Sequence, residues 1–427
     1  MITLCSVFVL TILLGVPVAF CLGLAGLAFI LVSGTFPLDV LPTVMFSGVD
    51  SFPLMAIPFF IMAGDMMSRA NVLPKLVDFA DSLVGHLRGG LAYVNIVACM
   101  FFAGVTGVAV ADAAAVGSML IPGMVKQGYT KRFSAAVTAS AAIMGPIIPP
   151  SVAMVIFAYV YGGGISVAKM FLAGVVPGVM IAGGLMAVVF VMARLRGFPL
   201  NPGGFSFRHM LKSLRGALLG LVVPIIILGG IIGGIFTPTE AGAVAVGYSV
   251  IVGVFVTRTL KWKDITESLY LSAKTSAIVF LMLSTAKIVS FILTVHQVPM
   301  LAAGFFQNYI STANGFLFWT VILLVLLGFV LEGVAIMIML IPVFGPLAVC
   351  YGIDPHLFGL VLVMTVQIAL ITPPVAVGLF IVTPIAGCSV EEASREILPF
   401  LLLLTVVVLT VSFFPDVALW LPKKFGY

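Results

Sequence analysis

Two carboxylates, Asp112 and Glu332, lie inside long apolar stretches of this 427-residue chain. A charge at mid-bilayer costs about 2.5–3.5 kcal/mol on insertion scales, so each acid needs a partner or a task. Asp112 has no Lys or Arg nearer in sequence than Arg88 and Lys126, and Glu332 has none between Lys287 and Arg395. Downstream of each acid the chain breaks its own helix. "AAIMGPIIPPSVAM" at 141–154 carries Gly145, Pro146, Pro149 and Pro150, and "QIALITPPVAVGLF" at 367–380 echoes it. Each proline removes a backbone donor and clashes with the preceding turn. The carbonyls freed in this way are costly in hydrocarbon unless something satisfies them. Acids beside half-helix ends and unwound carbonyls are the means by which transporters hold Na⁺.

Two cation sites follow from this pairing. The first takes the turn Gly104, Val105, Thr106 and Gly107 with Asp112, closed by Gly145, Pro146 and Pro149. Its twin takes Gly328, Glu332 and Gly333, closed by Thr372 and Pro373. A purely structural alternative stays open, with both acids protonated or capped by amides at the start of a helix. Ser151, just past the first break, and Thr372 are candidates for lining a substrate site. No Arg lies there, so a bound carboxylate would rest on amides, hydroxyls or half-helix N-termini.

The elements that must position these residues are membrane spans. The chain is 62% hydrophobic and 8% charged, against about 25% charged in soluble domains. It reads as an all-α polytopic membrane protein without a separate soluble domain. Apolar segments fall at about 2–32, 53–68, 91–125, 133–161, 168–193, 216–236, 240–257, 268–295, 314–349, 356–386 and 396–420. Residues 1–32 lack a basic leader and read as a retained first helix. The five cysteines show neither metal-ligand spacing nor a disulfide framework. No basic cluster is interleaved with aromatics, which excludes a nucleic-acid partner.

Basic residues orient the spans, because cytoplasmic loops are enriched in Lys and Arg. Arg69, Lys75 and Arg88 precede segment 91–125, and Lys126, Lys131 and Arg132 follow it. That segment therefore enters and leaves on one side, as a re-entrant hairpin turning at "FAGVTGVA". Segment 133–161 then crosses outward and 168–193 returns at Arg194 and Arg196. The absence of Lys and Arg from 288 to 394 suits a second hairpin, 314–349, opening to the other side.

The two broken regions belong to an internal repeat. Gly128 precedes Pro149 by 21 residues, as Gly352 precedes Pro373. "LIP" at 120–122 matches "LIP" at 340–342, and each acid lies ten residues before the proline of that motif. The charge pattern sets the copies in opposite orientations. Inverted repeats with corresponding broken segments mark the binding site of a secondary transporter.

Other polar residues carry less. Thr237, Pro238 and Glu240 form a capping box. Lys274 and Lys287 lie on an apolar span, where they pair, snorkel or, for Lys287, bind substrate. Asp65 closes a span at an interface, and the four histidines lie near span ends without metal spacing. The "GGG" at 162–164 reads as a loop. No Ser-His-Asp set and no HExxH is present, which argues against an intramembrane enzyme.

The segments "SGVDSFPLMAIPFFIMAGDMM", "GVTGVAVADAAAVGSMLIP", "GPIIPPS", "GGIFTPTEAGAVAV" and "LITPPVAVGLF", in this order along essentially the whole chain, resemble the large membrane subunit of tripartite ATP-independent periplasmic (TRAP) transporters. The resemblance implies a Na⁺-driven importer of small organic acids in the bacterial inner membrane, C4-dicarboxylate or sialic acid among them. Its implied partners are a periplasmic substrate-binding protein and a small four-helix membrane subunit, here expected as a separate chain. It also implies an elevator-type fold like that of the ion transporter superfamily. Residues 1–90 are then scaffold and first arm, and 91–193 the first transport repeat. Residues 194–313 are connecting loop, scaffold helices and second arm, and 314–427 the second repeat with a C-terminal helix. The amphipathic stretches after 68 and after 295 are the arms. Two positions depart from the family pattern: Val108 stands where a hydroxyl is common, and Glu332 where Asp is common. A carrier without a binding protein, and more distantly a channel with re-entrant loops, stay open as alternatives.

Overall fold

The computed structural model describes residues 1–199, 204–329, 331–373 and 376–427, and every regular element among them is helical. The expected first helix is instead two. α1 (Ile2–Leu13) and α2 (Val18–Ser33) fold against each other. The turn between them passes through Gly15, at φ +76°, and Pro17 precedes α2. Glycine takes that left-handed turn without steric cost, and proline's fixed φ suits the entry to the next helix.

From there the chain runs through one set of elements twice. α3 (Val40–Ser47) bends by 61° into the span that ends as α4 (Ala56–Arg69). The arm α5 (Val72–Val84) leads to a hairpin, α6 (Gly90–Thr106) and α7 (Ala109–Lys126). A broken span follows, α8 (Lys131–Ala142) and α9 (Val152–Tyr161), and then the long α10 (Val167–Leu195). α11 (Phe207–Ile232) and α12 (Pro238–Ile251) link the halves, and the Thr237–Glu240 capping box is formed at the start of α12. The second set is the span α13 (Trp262–Val295), the arm α14 (Val298–Tyr309) and the hairpin α15 (Ala313–Leu327) and α16 (Gly333–Cys350). Its broken span is α17 (Pro355–Ile371) and α18 (Val377–Ala386), followed by α19 (Val390–Phe413). The expected last span, 396–420, divides between α19 and a short α20 (Pro415–Lys424).

The repeat extends to backbone detail. Both arms start at a non-glycine residue in the left-handed region, Asn71 at φ 58° and Gln297 at φ 53°. α14 meets α15 at 113°, so this arm lies across the direction of the hairpin it feeds. The two copies interlock: α18 packs on α7 and α8, α19 on α8, and α16 on α9.

Basic residues gather at shared helix ends. Arg69, at the end of α4, pairs with Glu267 near the start of α13 (2.8 Å). Arg132 at the start of α8 and Arg196 just past α10 both pair with buried Glu396 of α19. Arg88 donates to the Phe198 carbonyl (3.2 Å) beside the start of α6. By the positive-inside rule this basic face is cytoplasmic, and both ends of the first hairpin lie on it.

Candidate functional site

The tip of the first hairpin is Thr106, Gly107 and Val108, where α6 ends and α7 begins. Gly107 has φ +67°, and a Cβ on it would strike the Pro150 carbonyl oxygen. A Cβ on Gly104 would stand 3.6 Å from the Pro149 carbonyl oxygen. The tip therefore lies directly on the first helix break. Among the described residues no backbone amide donates to the carbonyls of Pro149 or Pro150. The missing N–H groups of Pro149 and Pro150 remove donors to the carbonyls four residues upstream, and their own carbonyls are free because they lie in the break before α9 begins.

Asp112, in the first turn of α7, is fully buried. Its Oδ1 accepts from the Thr106 hydroxyl, and its Oδ2 has no partner among the described residues. A Cβ on Gly145 would lie 2.5 Å from Oδ2, so only glycine lets the break come this close to the carboxylate. A buried carboxylate oxygen without a partner is strongly unfavourable unless a cation or donor meets it. Seven of the eight residues expected here, Gly104, Thr106, Gly107, Asp112, Gly145, Pro146 and Pro149, thus lie on the tip, at the acid or in the break. Val105 is buried in the last turn of α6, and its carbonyl points at Gly64 of α4.

The second tip is built differently. Glu332 is the N-cap of α16, and its carboxylate accepts from the Ala335 amide (3.4 Å), which is the expected capping role. The same side chain is exposed to a cavity rather than sealed in. Gly328 and Gly333 let this hairpin close on α17, since a Cβ on either would strike Ala369 or Val366. Gly328, Glu332 and Gly333 line a space of about 10 Å³ with Val366 and Ala369, room for one water-sized particle. Thr372 and Pro373 are partly buried but do not line it, and the Thr372 hydroxyl donates to the Ile368 carbonyl (2.7 Å).

Between the tips lies a cavity of about 330 Å³. Gly107 to Val110 and Pro146 reach it from the first repeat, and Glu332 to Val334 and Gln367 from the second. Val152, Ala153 and Ile156 of α9 and Val366 and Leu370 of α17 add to it, and the rest of the wall comes from Ile61 of α4 and Thr275, Ile278, Val279 and Met282 of α13. Among the described residues Glu332 is the only charged group on this lining. Ser151 does not reach the cavity. It is fully buried as the N-cap of α9, donating to the Pro146 carbonyl and accepting from the Met154 amide (3.2 Å). Thr372 is likewise absent from the lining. Gln367 and Thr275, the uncharged polar side chains that do line it, carried no signal in sequence beyond Gln367 opening the second broken motif.

The family description "Tripartite ATP-independent periplasmic transporter, DctM component" matches residues 4–417. A C4-dicarboxylate TRAP transporter large permease from Pseudomonas aeruginosa is 39% identical over 405 residues, covering 95% of this chain and 94% of its own. A sialic acid TRAP large permease from Vibrio cholerae is 36% identical over 414 residues, covering 97% and 96%. An isethionate TRAP permease from Oleidesulfovibrio alaskensis is 37% identical over 413 residues. The match covers 97% of this chain but 65% of that protein. In fold, the structure is similar to the YdaH transporter of Alcanivorax borkumensis, at TM-score 0.63 and 15% identity over 99% of each chain.

Proposed function

This chain belongs to the DctM family of tripartite ATP-independent periplasmic transporters, multi-pass proteins of the bacterial inner membrane, and from that premise we propose that it is the permease of a Na⁺-coupled importer of small organic acids. Relatives named for C4-dicarboxylates, sialic acid and isethionate support a small anion, most of them carboxylates, as the cargo. A periplasmic binding protein delivers it, and a smaller membrane subunit completes the complex.

One observation carries the reading. The tips of two oppositely directed hairpins and both broken helices meet at one cavity, and the acid behind the first tip has a buried oxygen without a partner among the described residues. In our reading one Na⁺ is held by Asp112, the Thr106 hydroxyl and the freed carbonyls of Pro149 and Pro150. A second occupies the small space beside Glu332, Gly328 and Gly333. Each cation offsets a carboxylate that would repel an anionic substrate from the cavity. Substrate and Na⁺ then favour one another's binding, which is the linkage that coupling requires.

The two repeats, 91–193 and 314–427, move as one transport body against a scaffold of 1–90 and 194–313, in an elevator motion. α4 and α13 contribute the scaffold wall of the cavity, and α5 and α14 are the arms.

The test is uptake into proteoliposomes. Accumulation is expected only with an inward Na⁺ gradient, the small subunit and the cognate binding protein together. Equal uptake of free substrate without the binding protein, or without Na⁺, overturns the proposal.

A further inference from the structure

Three cavities stand in file along α13. The lowest, about 580 Å³, is lined by Asp65 and Ser68 towards the basic face and by Leu271 and Thr275 of α13. The central one takes Thr275 to Met282, and the third, about 110 Å³, takes Leu283, Ala286, Lys287 and Ser290. α9 climbs beside them, passing from Ile156 on the central cavity to Tyr159 on the third. α16 does the same, from Val334 to Ile338 and Pro342. From Leu271 to Ser290 the helix rises roughly 28 Å, about the thickness of the hydrocarbon core. The file therefore runs over a length comparable to the hydrocarbon core.

Among the described residues each cavity has one charged lining group: Asp65, then Glu332, then Lys287. Lys287 makes no ion pair or hydrogen bond among them. Its cavity is far larger than the roughly 10–15 Å³ that one water needs. The Tyr159 hydroxyl donates to the Gly48 carbonyl (3.0 Å), which ties α9 to the end of α3 at the cavity wall. The side chain is exposed on this cavity near its outer end, so its ammonium is open to water or an anion. Lys274 provides a contrast. Both side chains are exposed on the same helix, but Lys274 lines none of the three cavities and stands roughly 140° around the helix from Lys287.

We propose that Lys287, with Ser290 beside it, forms an outer anion subsite that takes the carboxylate of the substrate on its way between the outside and the central cavity. The subsite rests on the transport function proposed above. It places a positive charge at the outer end of a path on which Arg69 pairs with Asp65 (2.8 Å) and, in our reading, Na⁺ offsets Glu332. Lysine offers a compact point charge rather than a bidentate clamp, which suits a transient stop more than a tight site.

The test reads electrostatics directly and does not depend on transport. Ser290→Cys is introduced into the full chain with its five native cysteines replaced by Ser, reconstituted in liposomes. Anionic sulfonatoethyl and cationic trimethylammonium-ethyl methanethiosulfonates are then compared from the outside. The anionic-to-cationic rate ratio is expected to fall at least tenfold on Lys287→Met, to survive Lys287→Arg and to be unchanged by Lys274→Met. Millimolar succinate, used as the carboxylate probe, is expected to slow the reaction with Lys287 present and not with Lys287→Met. An unchanged ratio in Lys287→Met overturns the subsite, because the ammonium has then snorkelled away. Reaction only from the cytoplasmic side overturns it as well. Failure of Na⁺-driven uptake with the ratio intact would count against the transport reading instead.

Discussion

Asp112 and Glu332 hold matching places in sequence, ten residues before a proline, yet the fold uses them differently. Glu332 caps a helix and faces a cavity, whereas Asp112 is sealed inside with one oxygen unmet among the described residues. If a cation meets that oxygen, Asp112→Asn raises the Na⁺ concentration for half-maximal uptake at least tenfold and leaves the melting temperature in place. An unchanged Na⁺ titration would make Asp112 structural. Ser151 calls for the opposite result. Losing a Ser N-cap costs about 1 kcal/mol of stability, so Ser151→Ala should lower the melting temperature without altering the substrate concentration for half-maximal uptake. That Asp112 and the glycines of the first tip and break come together was legible because a charge or a break in an apolar run stands out by residue type alone. The wall from Ile61, Thr275 and Met282 was not, since ordinary residues become a lining only when distant helices meet.

At the scale of elements, the breaks and hairpins were legible because proline and glycine act locally on the backbone. The expected hairpins, 91–125 and 314–349, fall within one residue of the observed 90–126 and 313–350. The split of residues 2–32 was missed because continuous apolarity hides a turn that only Gly15 and Pro17 mark. α7 and α16 both have 18 residues, but α7 starts a turn earlier relative to the repeat. That extra turn carries Asp112 inside its helix while Glu332 stays at the cap. Seating the first tip on the break depends on Gly107. Alanine in the left-handed region costs about 1–2 kcal/mol, and at this position its Cβ would also meet the Pro150 carbonyl oxygen. Gly128 has φ +96° and open space around it. Gly107→Ala should therefore abolish uptake and lower the melting temperature more than Gly128→Ala, which should keep transport. Equal losses in the two variants would mean that backbone conformation alone, not the tip's fit on the break, governs the site.

Across the whole molecule, the inverted repeats are clasped to one another at both faces. Arg132 of the first repeat pairs with Glu396 of the second on the basic face, where Arg196 joins them. On the opposite face Lys169 of the first repeat pairs with Asp354 of the second (3.0 Å), and the His356 ring stands 3.0 Å from the same carboxylate. The two clasps join equivalent elements, a long span to the start of a broken helix, with the charges exchanged. Such clasps would hold the two repeats together during the elevator motion proposed above. Glu396 is buried, and breaking a buried pair costs more than breaking an exposed one. Glu396→Gln is thus expected to lower the melting temperature more than Asp354→Asn. The outer clasp also has a pH signature. The hydrogen bond from His356, and then Lys169, hold the Asp354 carboxyl well below its ordinary range. A depressed carboxyl adds stability above its unfolded value, about 3.9, and loses it as pH falls towards the folded value. The gap in melting temperature between the parent chain and Asp354→Asn should narrow as pH falls below about 4. A gap that persists unchanged at pH 3 would mean that the side chain's packing, not its charge, holds the repeats at that face.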